Sequence, residues 1–186
     1  AGLFQVNLKN GQRSSVAKNA IEPAMQRKNL EVRTQVLVTR IGIEALRART
    51  VHWKDKAGGS HSARASKEIL LCAGALQSPQ LLMLSGIGPA QHLREMGIEV
   101  KVDLPGVGAN LQDHAIVPMS WRMKADTPSL NQSLRGMGIA ASLLKYMLTK
   151  QGAMAMPASE FAAWFSSDVS LPYNDIQIHG LPVTGD

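Results

Sequence analysis

Apolar positions along the chain change their spacing several times, and each change predicts an element. Residues 14–27 ("SSVAKNAIEPAMQR") read as a helix, with Ser14 or Ser15 able to cap its start through a side-chain oxygen. Pro23 lies inside that helix, so a break or kink is expected near Ile21 and Glu22. Leu30, Val32, Thr34, Val36 and Val38 then fall in near alternation, the period of a strand with two unlike faces. A second strand is predicted over 47–54, where β-branched and aromatic residues alternate with basic ones. Turn residues fill 55–60, and 61–65 is expected to pair back as a hairpin arm. The segment "KEILLCAGA" (67–75) is a continuous apolar run ending in glycine, the pattern of a parallel strand buried on both faces.

Helices dominate the next stretch. Ser78 is placed as an N-cap and Pro79 as the first helical residue, a favoured pair because proline lacks only an N–H that would be orphaned anyway. That helix should end at Gly86, and a second should run from Pro89 until Gly97 closes it. A short strand and a glycine-rich loop follow in "IEVKVDLPGVGANLQDH". Residues 116–124 are predicted as a strand, 133–152 as an amphipathic helix, and "EFAAWF" and "DIQIHGLPV" as strands. Before His114, strands alternate with short glycine-started helices, as in cofactor-binding α/β folds; after it, strands flank one long helix. The expected fold class is therefore α/β (α+β), divided into domains at 1–114 and 115–186.

Composition narrows the partners. Hydrophobic residues make up 45% of the 186 and charged residues 18%, which excludes a disordered chain. The formal net charge is +6, but the 20 Lys and Arg are scattered, and no aromatic residue alternates with them as a stacking platform would require. Nucleic-acid binding is excluded on that ground. The excess charge suits a phosphate-bearing cofactor, or is solvated surface. Cys72 is the only cysteine, so no internal disulfide forms; burial of its thiol and a cytoplasmic location are expected. His52, His61, His92, His114 and His179 show no metal-ligand spacing. The apolar stretch 136–144 is cut by Lys145, well short of the roughly 20 residues of a membrane span.

The stretch "GALQSPQLLMLSGIG" (74–88) holds no nucleophile, metal ligand or general base, yet it is unusually particular. A strand running into Ala73–Ala75 and then into a helix puts backbone N–H groups and a helix N-terminus at a strand end. Phosphorylated cofactors bind there in α/β sheets, and glycine allows the backbone to approach them closely. A strand–turn–helix with no ligand accounts for the same residues equally well. No G-x-G-x-x-G occurs in the chain, and "GVGANL" (106–111) lacks the third glycine.

These residues resemble the second signature of the glucose–methanol–choline oxidoreductases, a flavoprotein family. Gly74, Ala75, Ser78, Pro79, Leu81, Leu82, Ser85, Gly86, Ile87 and Gly88 fit its fixed or restricted positions. Upstream, Gly11, Arg13, Ser15, Pro23, Asn29 and Leu30 agree with the segment that precedes that signature, and "GVGANLQDH" is similar to the loop that follows it. The choline- and alcohol-dehydrogenase branch looks most similar.

The resemblance implies part of an FAD-binding Rossmann-like domain, followed by the start of a substrate domain on an antiparallel sheet. It implies FAD as cofactor and hydride transfer from an alcohol carbon to the flavin, with a histidine taking the hydroxyl proton. Val38 matches the position whose backbone meets the adenine end of FAD, and Ala73, Gly74 and Ala75 would lie against the cofactor. Asn110 and Asp113 sit in the loop near the flavin, or bond their own backbone. Glu160 matches a carboxylate facing the pocket in choline-type relatives, or is an exposed glutamate at a strand start. His114 matches a structural position, and no residue of this chain takes the catalytic role. The family's first glycine motif and its catalytic histidine are not in this sequence, so the chain reads as the middle of a longer enzyme. Its partners are then a small-molecule alcohol and the rest of that enzyme. The alternative is a binding or structural fragment that keeps the fold without activity.

Overall fold

A computed structural model describes residues 2–3, 6–122, 124, 130–156, 159 and 161–181. It divides into two compact units, one of Glu31–Ile116 and one that joins Ala1–Leu30 to Val117–Asp186.

The amino-terminal part of the second unit holds β1 (Gly2–Leu3), β2 (Leu8–Lys9) and β3 (Gln12–Arg13). Strands β2 and β3 form an antiparallel hairpin around Asn10 and Gly11, whose φ angles are +53° and +67°. Asn-Gly takes that left-handed pair at little cost, and its twist matches the flanking strands. The expected helix follows, but in two pieces: a π-helical turn at Ala17–Ile21 and a short α1 at Glu22–Ala24. The Ser15 Oγ accepts the Lys18 N–H at 3.4 Å, as a capping serine should. The break falls where proline predicts it. Pro23 has no N–H to offer the turn before it, and the Glu22 N–H bonds the Ala17 carbonyl, one residue wider than an α-helix.

In the unit of Glu31–Ile116, β4 (Leu37–Glu44), β5 (Arg47–Lys54) and β6 (Ser60–Arg64) form an antiparallel meander. The β5 bounds and the turn after it agree with the sequence reading. The alternation over 30–38 does not give a strand until Leu37, because β5 ends at Lys54, directly opposite Leu37, and leaves the earlier residues no ladder to join. At the β5–β6 turn the Asp55 carboxylate accepts the Gly59 N–H at 2.8 Å and meets the His61 Nε2 at 2.7 Å. The His61 ring stacks on Trp53, and Arg33 lies over the same indole, 5.2 Å from its centroid.

The run 67–75 is not a strand. Residues 68–72 pair with no strand among the described residues. A buried parallel strand needs neighbours on both sides, and none stands beside it here, so Leu70 is 77% exposed and Cys72 is exposed rather than buried. Helix α2 (Gly74–Leu84) starts at Gly74, four residues before the expected cap, so Ser78 caps nothing and Pro79 lies inside the helix. Pro79 has no N–H to give the Ala75 carbonyl. Then come β7 (Ile87–Gly88), α3 (Ala90–Glu95) and β8 (Val102–Asp103), with β7 and β8 parallel. Ile41, Trp53, Leu81, Ala90 and the fully buried Leu93 make the core of this unit.

The rest of the other unit begins with α4 (Leu130–Ser133) and α5 (Met137–Thr149). The single helix expected over 133–152 is interrupted before Gly136, whose φ of +51° no helix accommodates. Helix α5 ends at Lys150 in the left-handed conformation. The β2–β3 hairpin meets that end, where the Tyr146 hydroxyl donates to the Gly11 carbonyl at 3.2 Å. Strand β9 (Phe161–Phe165) pairs antiparallel with β10 (Ile176–Gly180) on one side and with β1 on the other. Residues 116–122 and 124 form no strand, against expectation: Ile116 and Val117 are each 80% exposed, with no ladder beside them. Among the described residues no helix is long and apolar enough to cross a membrane. The fold class is mixed helix and strand with antiparallel sheets, as the pattern of elements predicted.

Candidate functional site

Helix α2 and the glycine loop after β8 face each other across an open cleft of about 500 Å³. Ala75, Leu76, Pro79 and Met83 line its helix side, and Gly106 to Gln112 line the other. The loop turns twice in succession, through Val107 N–H to the Leu104 carbonyl (3.1 Å) and Ala109 N–H to the Gly106 carbonyl (3.3 Å). Gly108 and Asn110 both have positive φ, at +79° and +57°. Those angles suit glycine and asparagine and are costly for bulkier residues.

The helix side is set by its first residues. Ala73 offers no side-chain cap, so the first N–H groups of α2 are left for another acceptor. Gly74 has φ of +83°, and a Cβ built there would meet nothing within 4 Å. The backbone conformation, not crowding, is what demands glycine at this position. In the protein expressed from its full reading frame, Gly74→Val should cost about 1–2 kcal/mol from the left-handed strain of a β-branched residue. A lower denaturant midpoint is the expected result; an unchanged midpoint would mean that the left-handed φ at Gly74 does not demand glycine.

Ala75 and Asn110, two of the residues expected at the cofactor, thus line one cleft. Ala73 and Gly74 stand at its helix end. Val38 lies on β4 opposite Trp53 and does not line the cleft. Glu160 lies outside the described residues. Asp113 bonds locally: its carboxylate accepts the His114 N–H at 2.8 Å, and that bond, with the His114 ring beside it, holds the carboxyl below its ordinary range. Among the described residues no cluster of His, Cys, Asp and Glu could hold a metal ion.

Three residues set this geometry, of which the sequence reading gave Gly86 the end of the helix and gave Ser85 and Asp103 no structural role. The buried Ser85 accepts the Ile41 N–H at 2.8 Å and donates to the Leu81 carbonyl at 2.6 Å, joining α2 to β4. Gly86 (φ +88°) leaves no room for a Cβ, which would stand 2.5 Å from the Glu99 carbonyl oxygen. The Asp103 carboxylate accepts the Ala90 N–H at 3.0 Å and so satisfies the start of α3. Ser85 and Gly86 did stand out as signature positions, but their partners 44 and 13 residues away are visible only in the fold.

A helix start without a cap, open space at its first residue and a glycine loop across the cleft can hold an extended phosphorylated ligand through backbone N–H groups. The chain carrying this arrangement belongs to the GMC oxidoreductases, whose family profile matches residues 1–116. Among its relatives, it is 40% identical over 183 residues to the mitochondrial choline dehydrogenase of Homo sapiens, covering 97% of this chain and 30% of that protein. It is 38% identical over 182 residues to the oxygen-dependent choline dehydrogenase of Staphylococcus xylosus, covering 98% of this chain and 32% of that one. Of solved structures, a formate oxidase aligns with a TM-score of 0.74 at 29% identity, over 84% of this chain and 27% of that one. An FAD-dependent oxidoreductase from Chaetomium thermophilum aligns with a TM-score of 0.68 at 31% identity, over 84% and 28%. The chain spans about a third of the length of the curated relatives it matches.

Proposed function

We propose that this chain is part of an FAD-dependent enzyme that oxidises the CH–OH group of an alcohol, and that the alcohol is of the choline type. The observation that carries the reading is the uncapped start of α2 facing the glycine loop, in a chain of the GMC family. Its 38–40% identity to choline dehydrogenases over almost its whole length supports the choice of alcohol.

In this reading Ala73, Gly74 and Ala75 hold the cofactor through backbone, Asn110 faces them from the loop, and Val38 contributes its backbone at the adenine end. When bound, the flavin supplies an acceptor for the hydride that leaves the alcohol carbon. The residues here position and shield; the histidine that takes the hydroxyl proton belongs to another part of the enzyme. The division at His114 into a flavin part and a substrate part is included in this proposal. So is a cytoplasmic location, where the exposed Cys72 stays reduced.

Glu160 is the proposed substrate-side carboxylate, a negative charge that would attract a cationic alcohol. In the enzyme from the full reading frame, Glu160→Gln should raise the KM for choline by about tenfold, the loss of one charge-assisted contact, and leave that for a neutral alcohol nearly unchanged. An equal effect on both would make Glu160 a surface glutamate. The test of the whole reading is anaerobic: add choline to the yellow enzyme and follow its visible absorbance. Bleaching by choline, and less readily by neutral alcohols, is expected. A protein that purifies without flavin, or a flavin that no alcohol reduces, would favour a fragment that keeps the fold without activity.

A further inference from the structure

We infer that the pocket between the β2–β3 hairpin and the helical turn after it binds a small oxyanion of the phosphate class. The pocket is an open surface depression of about 140 Å³ lined by Lys9, Arg13 and Lys18 together with Gln12, Ser14 and Asn19. Three cations share this space and no carboxylate lines it. Among the described residues, no acid lies within ion-pair distance of any of the three. Like charges held together repel, and an anion between them relieves that cost while gaining charge-assisted hydrogen bonds.

Local geometry builds the pocket. The Asn10-Gly11 turn pairs Lys9 with Gln12 and Leu8 with Arg13, so Lys9 and Arg13 are diagonal neighbours across a two-residue loop. The Ser14 N–H bonds the Asn7 carbonyl at 2.8 Å, so the chain leaves β3 still fastened to the hairpin. The π-helical turn then presents Lys18 and Asn19 to the same space. The Asn19 amide donates to the Ser14 Oγ and to the Ser15 carbonyl, which leaves the Ser14 hydroxyl proton free to point into the pocket. The donors are therefore two ammonium groups, one guanidinium, one hydroxyl and the Gln12 amide. That set matches a tetrahedral oxyanion. The volume is well below the roughly 300 Å³ at which pockets begin to take drug-sized ligands, so the anion or the anionic group of a larger molecule fits and a whole cofactor does not. This inference does not rest on the flavin reading, and either can fail without the other.

The test uses the protein from its full reading frame, titrated calorimetrically with inorganic phosphate at constant ionic strength. Saturable binding is expected, weakened about tenfold by Lys18→Gln and by Arg13→Gln, each the loss of one charge-assisted bond. Lys56→Gln, which removes an equal charge from an exposed position outside the pocket, should leave the affinity unchanged. Thermal melting of each variant without phosphate checks that the fold is intact. Competition by phenyl phosphate would assign the pocket to the phosphoryl group of a larger molecule, and its absence to the free anion. No saturable binding by millimolar phosphate, or an equal loss in the Lys56 variant, overturns the inference.

Discussion

Purified by itself and incubated with FAD, the 186-residue chain is expected to leave a desalting column colourless and to oxidise no alcohol. Its sequence contains no G-x-G-x-x-G turn, the feature that grips a dinucleotide's phosphates at a helix N-terminus. What remains is the start of α2 and the glycine loop, which cover only part of so long a cofactor. Losing several charge-assisted hydrogen bonds, each worth about 1.5–3 kcal/mol, takes tight binding to weak binding, since about 1.4 kcal/mol is a factor of ten. Surface chemistry points the same way. Met137 and Leu148 on α5, Trp121, and Leu70 within the unpaired run 68–72 are all largely exposed, so the chain should also aggregate. The measurement is a visible spectrum after desalting, with a turnover assay on an artificial acceptor. Retained yellow colour with turnover would show that these residues suffice for the enzyme.

Gly86→Val should be among the most damaging single changes in the unit of Glu31–Ile116. The new Cβ would stand 2.5 Å from the Glu99 carbonyl oxygen and 2.9 Å from the Lys101 Cγ, at a φ of +88°. Backbone strain costs about 1–3 kcal/mol. Overpacking against a main-chain atom that cannot rotate away adds about 1–3 kcal/mol more. The Gly86 carbonyl also accepts the Lys101 and Val102 N–H groups, so any shift loosens β8 as well. Out of a typical stability of about 5–15 kcal/mol, a loss of about 2–6 kcal/mol is severe. Gly97→Val is the control: its φ is +70°, but its Cβ would meet nothing within 4 Å. It should show the strain alone. Denaturant midpoints of both variants in the full-length protein separate the two terms. Equal losses would mean that crowding at Gly86 contributes nothing.

Strand β5, the turn after it, helix α3 with Gly97 at its end and the break before Pro23 could all be read from sequence. Each depends on residues close along the chain: a period of two, a turn cluster, a helix-stopping glycine, a ring without an N–H. The family signature was legible too, because glycines and a Ser-Pro step at fixed spacing are a local pattern. The tertiary structure decided what depends on partners. The apolar run 68–72 has a strand's composition but forms none, since a ladder requires a neighbour. The alternation over 30–36 fails for the same reason, with β5 ending opposite Leu37. Without a strand before it, α2 starts at Gly74 with no side-chain cap, and Ser78 and Pro79 fall inside the helix. The role of Ser85 was likewise out of reach, because its worth lies in a buried bond to Ile41, 44 residues earlier. Short-range sterics and hydrogen-bond period are written in the order of residues; pairing, burial and the facing of α2 by its loop arise only when distant segments meet.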